Sequence, residues 1–393
     1  MKVEDGFMVP TYQRYPVVAV RGRGALLYDS DGKEYVDCMA GYGVAILGHH
    51  NEYVIGAIRE QIERLMTCHS SLYNDARAEF LERLVSLTPK GLDKVYLGNS
   101  GAEAVEAAFK FARKCTGRKE VVSMVGAYHG KTMGALSLTW NEKYRRPFIP
   151  LVPGVKFAKF GSLDSVRDAM SGDTAAVIVE PVQGERGVYP TPKEFIKGLR
   201  ELCDERGVLL IFDEVQCGLA RTGRLWAWEH YGVVPDVMTL GKGLGGGLPL
   251  SATILREDLA SKLKPGDHTV TLGGNPVSCA SGKATLDYIA GRRLWERAER
   301  LGCYFKSRLE ELKGRHRIVR EVRGLGLMLA LELRFDVRRV LLNALEKGVI
   351  LLYSGRNTIR LLPPLVIEKK QIDRVVEVLD EVLKFEERDR GLV

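Results

Sequence analysis

No run of eighteen or more apolar residues occurs in the 393-residue chain, so no membrane span is expected. The opening residues, MKVEDGFMVPTYQRYP, carry acidic side chains and no apolar core, which excludes a secretory signal from the expectation. The seven cysteines are odd in number and scattered, with no Cys-x-x-Cys pair. That pattern excludes a cysteine zinc site and fits a reducing, cytoplasmic compartment. His49 and His129 have no third ligand at matching spacing, so packing or hydrogen-bonding roles are expected of both, and no metal. Zinc-finger spacings, RNP-like motifs and basic runs with interleaved aromatics are missing, so nucleic acid is not an expected partner. Glutamine and asparagine are scarce, five and seven among abundant charges, a composition that leans toward a thermophilic source.

What is present is the composition of a compact globular protein, 45% hydrophobic and 27% charged. Lys plus Arg outnumber Asp plus Glu by 58 to 50. Residues 291–320 hold ten cations against four acids, and the same stretch spaces Leu294, Ala298, Leu301, Phe305, Leu309 and Leu312 by three and four. The spacing predicts an amphipathic helix with that stripe buried. Its charges read either as a solvated face or as a docking surface for an acidic partner.

Through the middle of the chain, short apolar runs alternate with helical patterns: 120–126, 175–181, 208–215 and 236–242. Continuous apolar strands of this kind predict an α/β fold with a parallel sheet covered on both faces. Between the second and third runs, Thr191, Pro192 and Glu194 read as a capping box that opens a helix, and Gly207 closes it. Before these runs, GALLYDSDGKEYVD reads as a hairpin turning at Asp31-Gly32. After about residue 280 the pattern becomes that of a smaller α+β domain, with 320–333, a helix near 336–347 and TIRLLPPL at 358–365.

Three features carry chemistry. KVYLGNSGAEAVEAAFKFARK (94–114) passes from strand to helix through Gly98-Asn99-Ser100-Gly101, and free amides at such a helix start bind phosphate, although geometry alone also explains the glycines. Asp213 ends the apolar run VLLIFD, at the sheet edge where open α/β folds bind ligands, and a carboxylate there needs a cationic partner. Lys242 ends another apolar strand ahead of GLGGGLP, and a lysine in a partly apolar pocket becomes a nucleophile toward carbonyls. The plain alternative is that Asp213 and Lys242 pair with each other. A dinucleotide fingerprint is excluded, because the acid precedes the glycines.

A phosphate-binding helix start, an acid for a pyridinium nitrogen and a strand-end lysine are the parts that hold pyridoxal 5′-phosphate (PLP). In the family order the chain carries YVDCMAGYGVAILGHHN, LGNSGAEAVEAAFKFAR, AYHGKTMGAL, EPVQGERG, LLIFDEVQCGLARTG, TLGKGLGGGLPL, TLGGNP and TIRLLPPL. Over nearly its whole length it resembles class III PLP-dependent aminotransferases of the ornithine and acetylornithine type. Details such as LSLTWNEKYRRPF and GLGLMLALEL resemble archaeal enzymes of lysine and arginine biosynthesis acting on acetylated or carrier-protein-linked ω-amines. The resemblance implies PLP fold type I: a large domain at 51–280 around a mainly parallel, seven-stranded sheet, and a smaller α+β domain from 1–50 and 281–393. It implies transfer of an amino group between a lysine- or ornithine-like ω-amine and 2-oxoglutarate. Alternatives within the fold are action on free ornithine or 4-aminobutyrate, and a glutamate-1-semialdehyde-type aminomutase.

By the same resemblance Lys242 binds the cofactor covalently and shuttles protons, while Asp213 pairs with the ring nitrogen. Ser100, Gly101 and Ala102 would hold the phosphate, joined by Thr271 from a partner subunit, so a homodimer with shared sites is implied. Tyr128 and Val215 would cover the two ring faces, with His129 and Gln216 beside the ring. Substrate would meet Tyr42, Lys131, Glu185, Arg186, Val270 and Arg360, with Arg360 clamping the α-carboxylate of glutamate and Glu185 pairing with it when the ω-amine is bound. Three positions depart from the family: Lys131 replaces an arginine fork by a point charge, Val270 replaces a serine, and Arg186 replaces a small residue. Arg186 is expected to add a cation to the pocket and, with Lys131, to recognise an acidic amino-group carrier protein.

Overall fold

Seven strands form the central sheet of the computed structural model, which describes residues 1–392. Their order across the sheet is Lys94–Gly98, Ser251–Leu255, Val237–Leu240, Leu209–Asp213, Thr174–Val179, Glu120–Met124 and Val155–Ala158. Ser251–Leu255 runs antiparallel to both neighbours, and the other pairings are parallel. The continuous apolar runs have the cause expected of them, since both faces are covered. Leu210 and Phe212 join the cluster beneath the helix Lys193–Arg206, whereas Leu209 and Ile211 join the one beneath Gly101–Thr116. Alternation along one strand thus feeds two cores.

The helix Lys193–Arg206 does end at Gly207, which takes the left-handed conformation, but the capping box does not form. The Thr191 hydroxyl instead donates to the Glu180 carbonyl at 3.1 Å, so Pro192 is the cap residue and offers no side-chain acceptor. A partner eleven residues earlier has taken the group that a local pattern assigned to the helix.

The N-terminal hairpin forms as read, Leu26–Asp29 against Glu34–Asp37 with Gly32 at φ +82°. On its far side Glu34–Asp37 pairs in parallel with Val349–Ile350, so the first and last parts of the chain share a sheet. A further four-stranded sheet, antiparallel throughout, runs in the order Val319–Leu325, Met328–Leu333, Thr358–Leu361 and Leu352–Ser354. The expected division at residue 280 falls inside the helix Pro276–Gly291, which packs on Glu52–Arg64 and Asp75–Leu87.

The helix Leu294–Arg315 buries all six residues of the predicted stripe. Its neighbourhood answers the question of the basic cluster. Arg293, Arg308, Lys313, Arg315 and Arg320 pair with carboxylates, and Arg297 and Lys306 donate to main-chain carbonyls. Seven of the ten cations therefore have partners within the fold, which favours the solvated-face reading over the docking surface. Among the described residues no helix is long and apolar enough to cross a membrane.

Candidate active site

Five loops at the carboxyl edge of the parallel strands enclose a cavity of about 280 Å³ lined by Gly101, Ala102, Tyr128, Lys131, Glu180, Asp213 and Lys242, among others. This is the side of an open α/β sheet where ligands bind. Lys242 follows the strand Val237–Leu240 by two residues and opens a short 3-10 turn with φ +46°, a conformation uncommon for a non-glycine residue. Burial pushes its ammonium down from the usual lysine range, and Asp213, Glu180 and Glu185 act against that fall.

Asp213 does not pair with Lys242. Its buried carboxylate lies 2.7 Å from His129 Nδ1 and accepts from the Thr239 hydroxyl and the Val215 amide, each at 3.1 Å. His129 Nε2 and Gln216 Oε1 are buried, line the same cavity and have no hydrogen-bond partner. Orphaned polar atoms in such a place call for a ligand. The histidines thus divide: His129 belongs to this site, and His49 to a separate pair with Asp37 at 2.8 Å.

The helix Gly101–Thr116 presents its first amides to the cavity. The Ser100 hydroxyl caps it by accepting from the Glu103 amide at 3.2 Å, so Ser100 works on the helix rather than on the cavity wall. A Cβ at Gly101 would stand 2.6 Å from Val215 Cγ1, which is why this turn needs glycine.

Beside the cavity, Arg360 is fully buried, and its Nη2 lies 2.8 Å from Oε2 of Glu185, which lines the cavity. Both terminal nitrogens nonetheless lack a partner in hydrogen-bond alignment, which leaves the guanidinium able to receive a carboxylate. Tyr42, at φ +61°, lies with its ring 6.0 Å from the Arg360 guanidinium carbon.

Arg186 does not line the cavity. Its guanidinium sits 5.0 Å from the Tyr189 ring and 5.8 Å from Phe160 and donates to Gln183 Oε1, outside the cavity that its neighbour Glu185 lines. Val270 is half-buried and Thr271 exposed, and neither lines this chain's own cavity.

Glu180 is the residue that the sequence reading passed over. It is buried on the cavity wall, directly after the strand Thr174–Val179, and accepts from the Tyr128 amide at 3.0 Å and the Gly184 amide at 3.3 Å. Burial raises its carboxyl to about 7. The signal was available, since Glu180 follows AAVIV as Asp213 follows LLIF.

Residues 7–383 match the family described as aminotransferase class-III, and the chain belongs to that family. It is 42% identical over 386 residues to the acetylornithine aminotransferase of Methanocaldococcus jannaschii, covering 97% of this chain and 96% of the relative. It is 46% identical over 376 residues to a [LysW]-aminoadipate semialdehyde transaminase of Deinococcus radiodurans, covering 95% and 87%. A solved structure of the ornithine aminotransferase of Toxoplasma gondii, with partial occupancy of PLP at its active site, superposes with a TM-score of 0.95 at 34% identity, covering 99% of this chain and 95% of that one.

The chain is accordingly a transaminase of PLP fold type I, and its cofactor is PLP. The residues fit that group: amides for a phosphate at Gly101 and Ala102, a buried carboxylate for a ring nitrogen at Asp213, orphaned polar atoms at His129 and Gln216, and an amine at Lys242.

Proposed function

We propose that the protein is a cytoplasmic ω-aminotransferase of arginine and lysine biosynthesis. It moves an amino group from an acetylated or carrier-linked ornithine- or lysine-like amine to 2-oxoglutarate, as a homodimer whose sites are shared. The Arg360–Glu185 pair, whose acid lines the Lys242 cavity, carries the reading. A guanidinium that a carboxylate can claim, held by an acid that can release it, serves two substrates of different charge in one pocket.

PLP, when bound, supplies an electron-withdrawing ring that stabilises negative charge on the carbon losing its proton. The chain's own residues do the rest. Asp213, fixed by His129, Thr239 and Val215, would keep the ring nitrogen protonated. Lys242, its ammonium weakened by burial, is suited to take a proton from the substrate carbon and return it. Arg360 binds the α-carboxylate of glutamate, and Glu185 reclaims it while the ω-amine is bound. Thr271, exposed on this chain, would serve the partner's phosphate site.

The test is a half-reaction screen. Cofactor-loaded enzyme is mixed with N-acetylornithine, N-acetyllysine, ornithine, 4-aminobutyrate or a carrier-bound amine, and absorbance follows conversion of the cofactor to its amine form. Conversion by an acylated or carrier-bound ω-amine, reversed by 2-oxoglutarate, is the expected result. Conversion by none of the ω-amines overturns the reading.

A further inference from the structure

Lys131 lines the cavity, and its ammonium rests on an aromatic ring. Nζ lies 3.2 Å from the centre of the Tyr144 ring and 5.9 Å from that of Tyr128. The two rings meet edge to face, with centroids 6.2 Å apart at 82°. Each is held from behind. The Tyr128 amide donates to Glu180, and Tyr144 belongs to the short helix Glu142–Arg145, capped by Asn141, whose Oδ1 accepts from the Lys143 amide at 3.0 Å. A lysine has no planar fork, so the direction of its charge is set by what the side chain rests on.

From this seat we infer that Tyr144 is a positioning residue: it fixes the Lys131 ammonium where the second carboxylate of a dicarboxylate of the glutamate and 2-oxoglutarate class is received. The inference rests on the function proposed above, in which Arg360 takes the first carboxylate. Lys131 lines the Lys242 cavity, and Arg360 is held against Glu185, which lines it too, so a substrate with a carboxylate at each end can engage both cations, while a monocarboxylate engages one. Immobilising a free, rotamer-rich side chain on binding weakens affinity by roughly twofold to tenfold, and a seat occupied in advance removes that loss.

The experiment uses cofactor-loaded enzyme and glutarate, a dicarboxylate with no amino or keto group to exchange, with butyrate as the monocarboxylate control. Affinity is read by calorimetric titration, without turnover. Replacing the ring, by Tyr144→Leu and separately by Tyr144→Met, is expected to weaken glutarate binding about threefold to tenfold and to leave butyrate unchanged. Tyr144→Phe, which keeps the ring face, should stay within about twofold of the parent. Lys131→Met should weaken glutarate binding at least as much as Tyr144→Leu, and adding Tyr144→Leu to Lys131→Met should cost nothing more, because the ring acts through the ammonium.

Variants are compared at matched melting temperature and cofactor absorbance. Should one ringless variant fail to fold, the other carries the cycle. Unchanged glutarate affinity in a folded ringless variant, unchanged affinity in Lys131→Met, or a full Tyr144→Leu loss in the Lys131→Met background overturns the inference. An enzyme that converts ω-amines yet binds glutarate equally across the series rejects this inference alone, whereas an enzyme that converts none rejects the functional reading.

Discussion

Arg360 and Glu185 face each other across 2.8 Å without hydrogen-bond alignment, and that misfit is informative. A buried guanidinium satisfied by its partner would have little to offer a substrate. Truncating a buried charged partner typically costs about 2–5 kcal/mol. Arg360→Ala should therefore lower the efficiency of the glutamate half-reaction by well over tenfold, measured by rapid mixing, with exposed Arg388→Ala as the neutral control. Arg297 would be a poor control, because it donates to the Leu365, Val366 and Ile367 carbonyls. A second residue-scale consequence concerns pH. Burial raises Glu214 to about 8, although it accepts from the Ala227 and Trp228 amides. A carboxyl raised on folding holds its proton after the unfolded chain has released it. Stability should then fall as pH climbs from about 4.5 to 8, with a slope of about 1.4 kcal/mol per pH unit from this group. Urea unfolding across that range should show a shallower decline in Glu214→Gln than in the parent.

The helix Gly101–Thr116 shows how one element serves both packing and chemistry. Its glycine start leaves room for Val215, so Gly101→Ala must displace that side chain from its place against the turn. Overpacking of this kind costs about 1–3 kcal/mol, and PLP retention after dialysis should fall by roughly tenfold. Ser100→Ala, which removes the cap, should cost about 1 kcal/mol of stability in denaturant melts. At this scale much was legible in the sequence. The apolar runs, the hairpin at Gly32 and the stripe from Leu294 to Leu312 are local patterns, and each formed its element. Asp213 and Lys242 were legible for the same reason, each marking the end of an apolar strand. Thr191 and Arg186 were not, because their partners are chosen by distance in space: the Glu180 carbonyl for one, the Tyr189 and Phe160 rings for the other. Adjacent residues in a turn diverge, so the place of Glu185 in the cavity said nothing about Arg186.

For the whole molecule, the exposure of Thr271 and its absence from this chain's own cavity lining make the proposed shared site testable. Chains carrying Lys242→Ala and chains carrying Thr271→Val, each crippled alone, should regain activity when mixed and allowed to exchange. Statistical pairing leaves about half the dimers hybrid, and one of the two sites in each would be intact, so recovery near a quarter of the parent activity is expected from this two-fold arithmetic. No recovery, with exchange demonstrated, would place the whole site within one chain. The pairing of Glu34–Asp37 with Val349–Ile350 has a consequence in time rather than space. During synthesis the N-terminal hairpin leaves the ribosome more than 300 residues before the strand that covers its edge. At about 5–20 residues per second that interval is roughly 15–60 s, in which the central sheet can form while the edge stays open to other nascent chains.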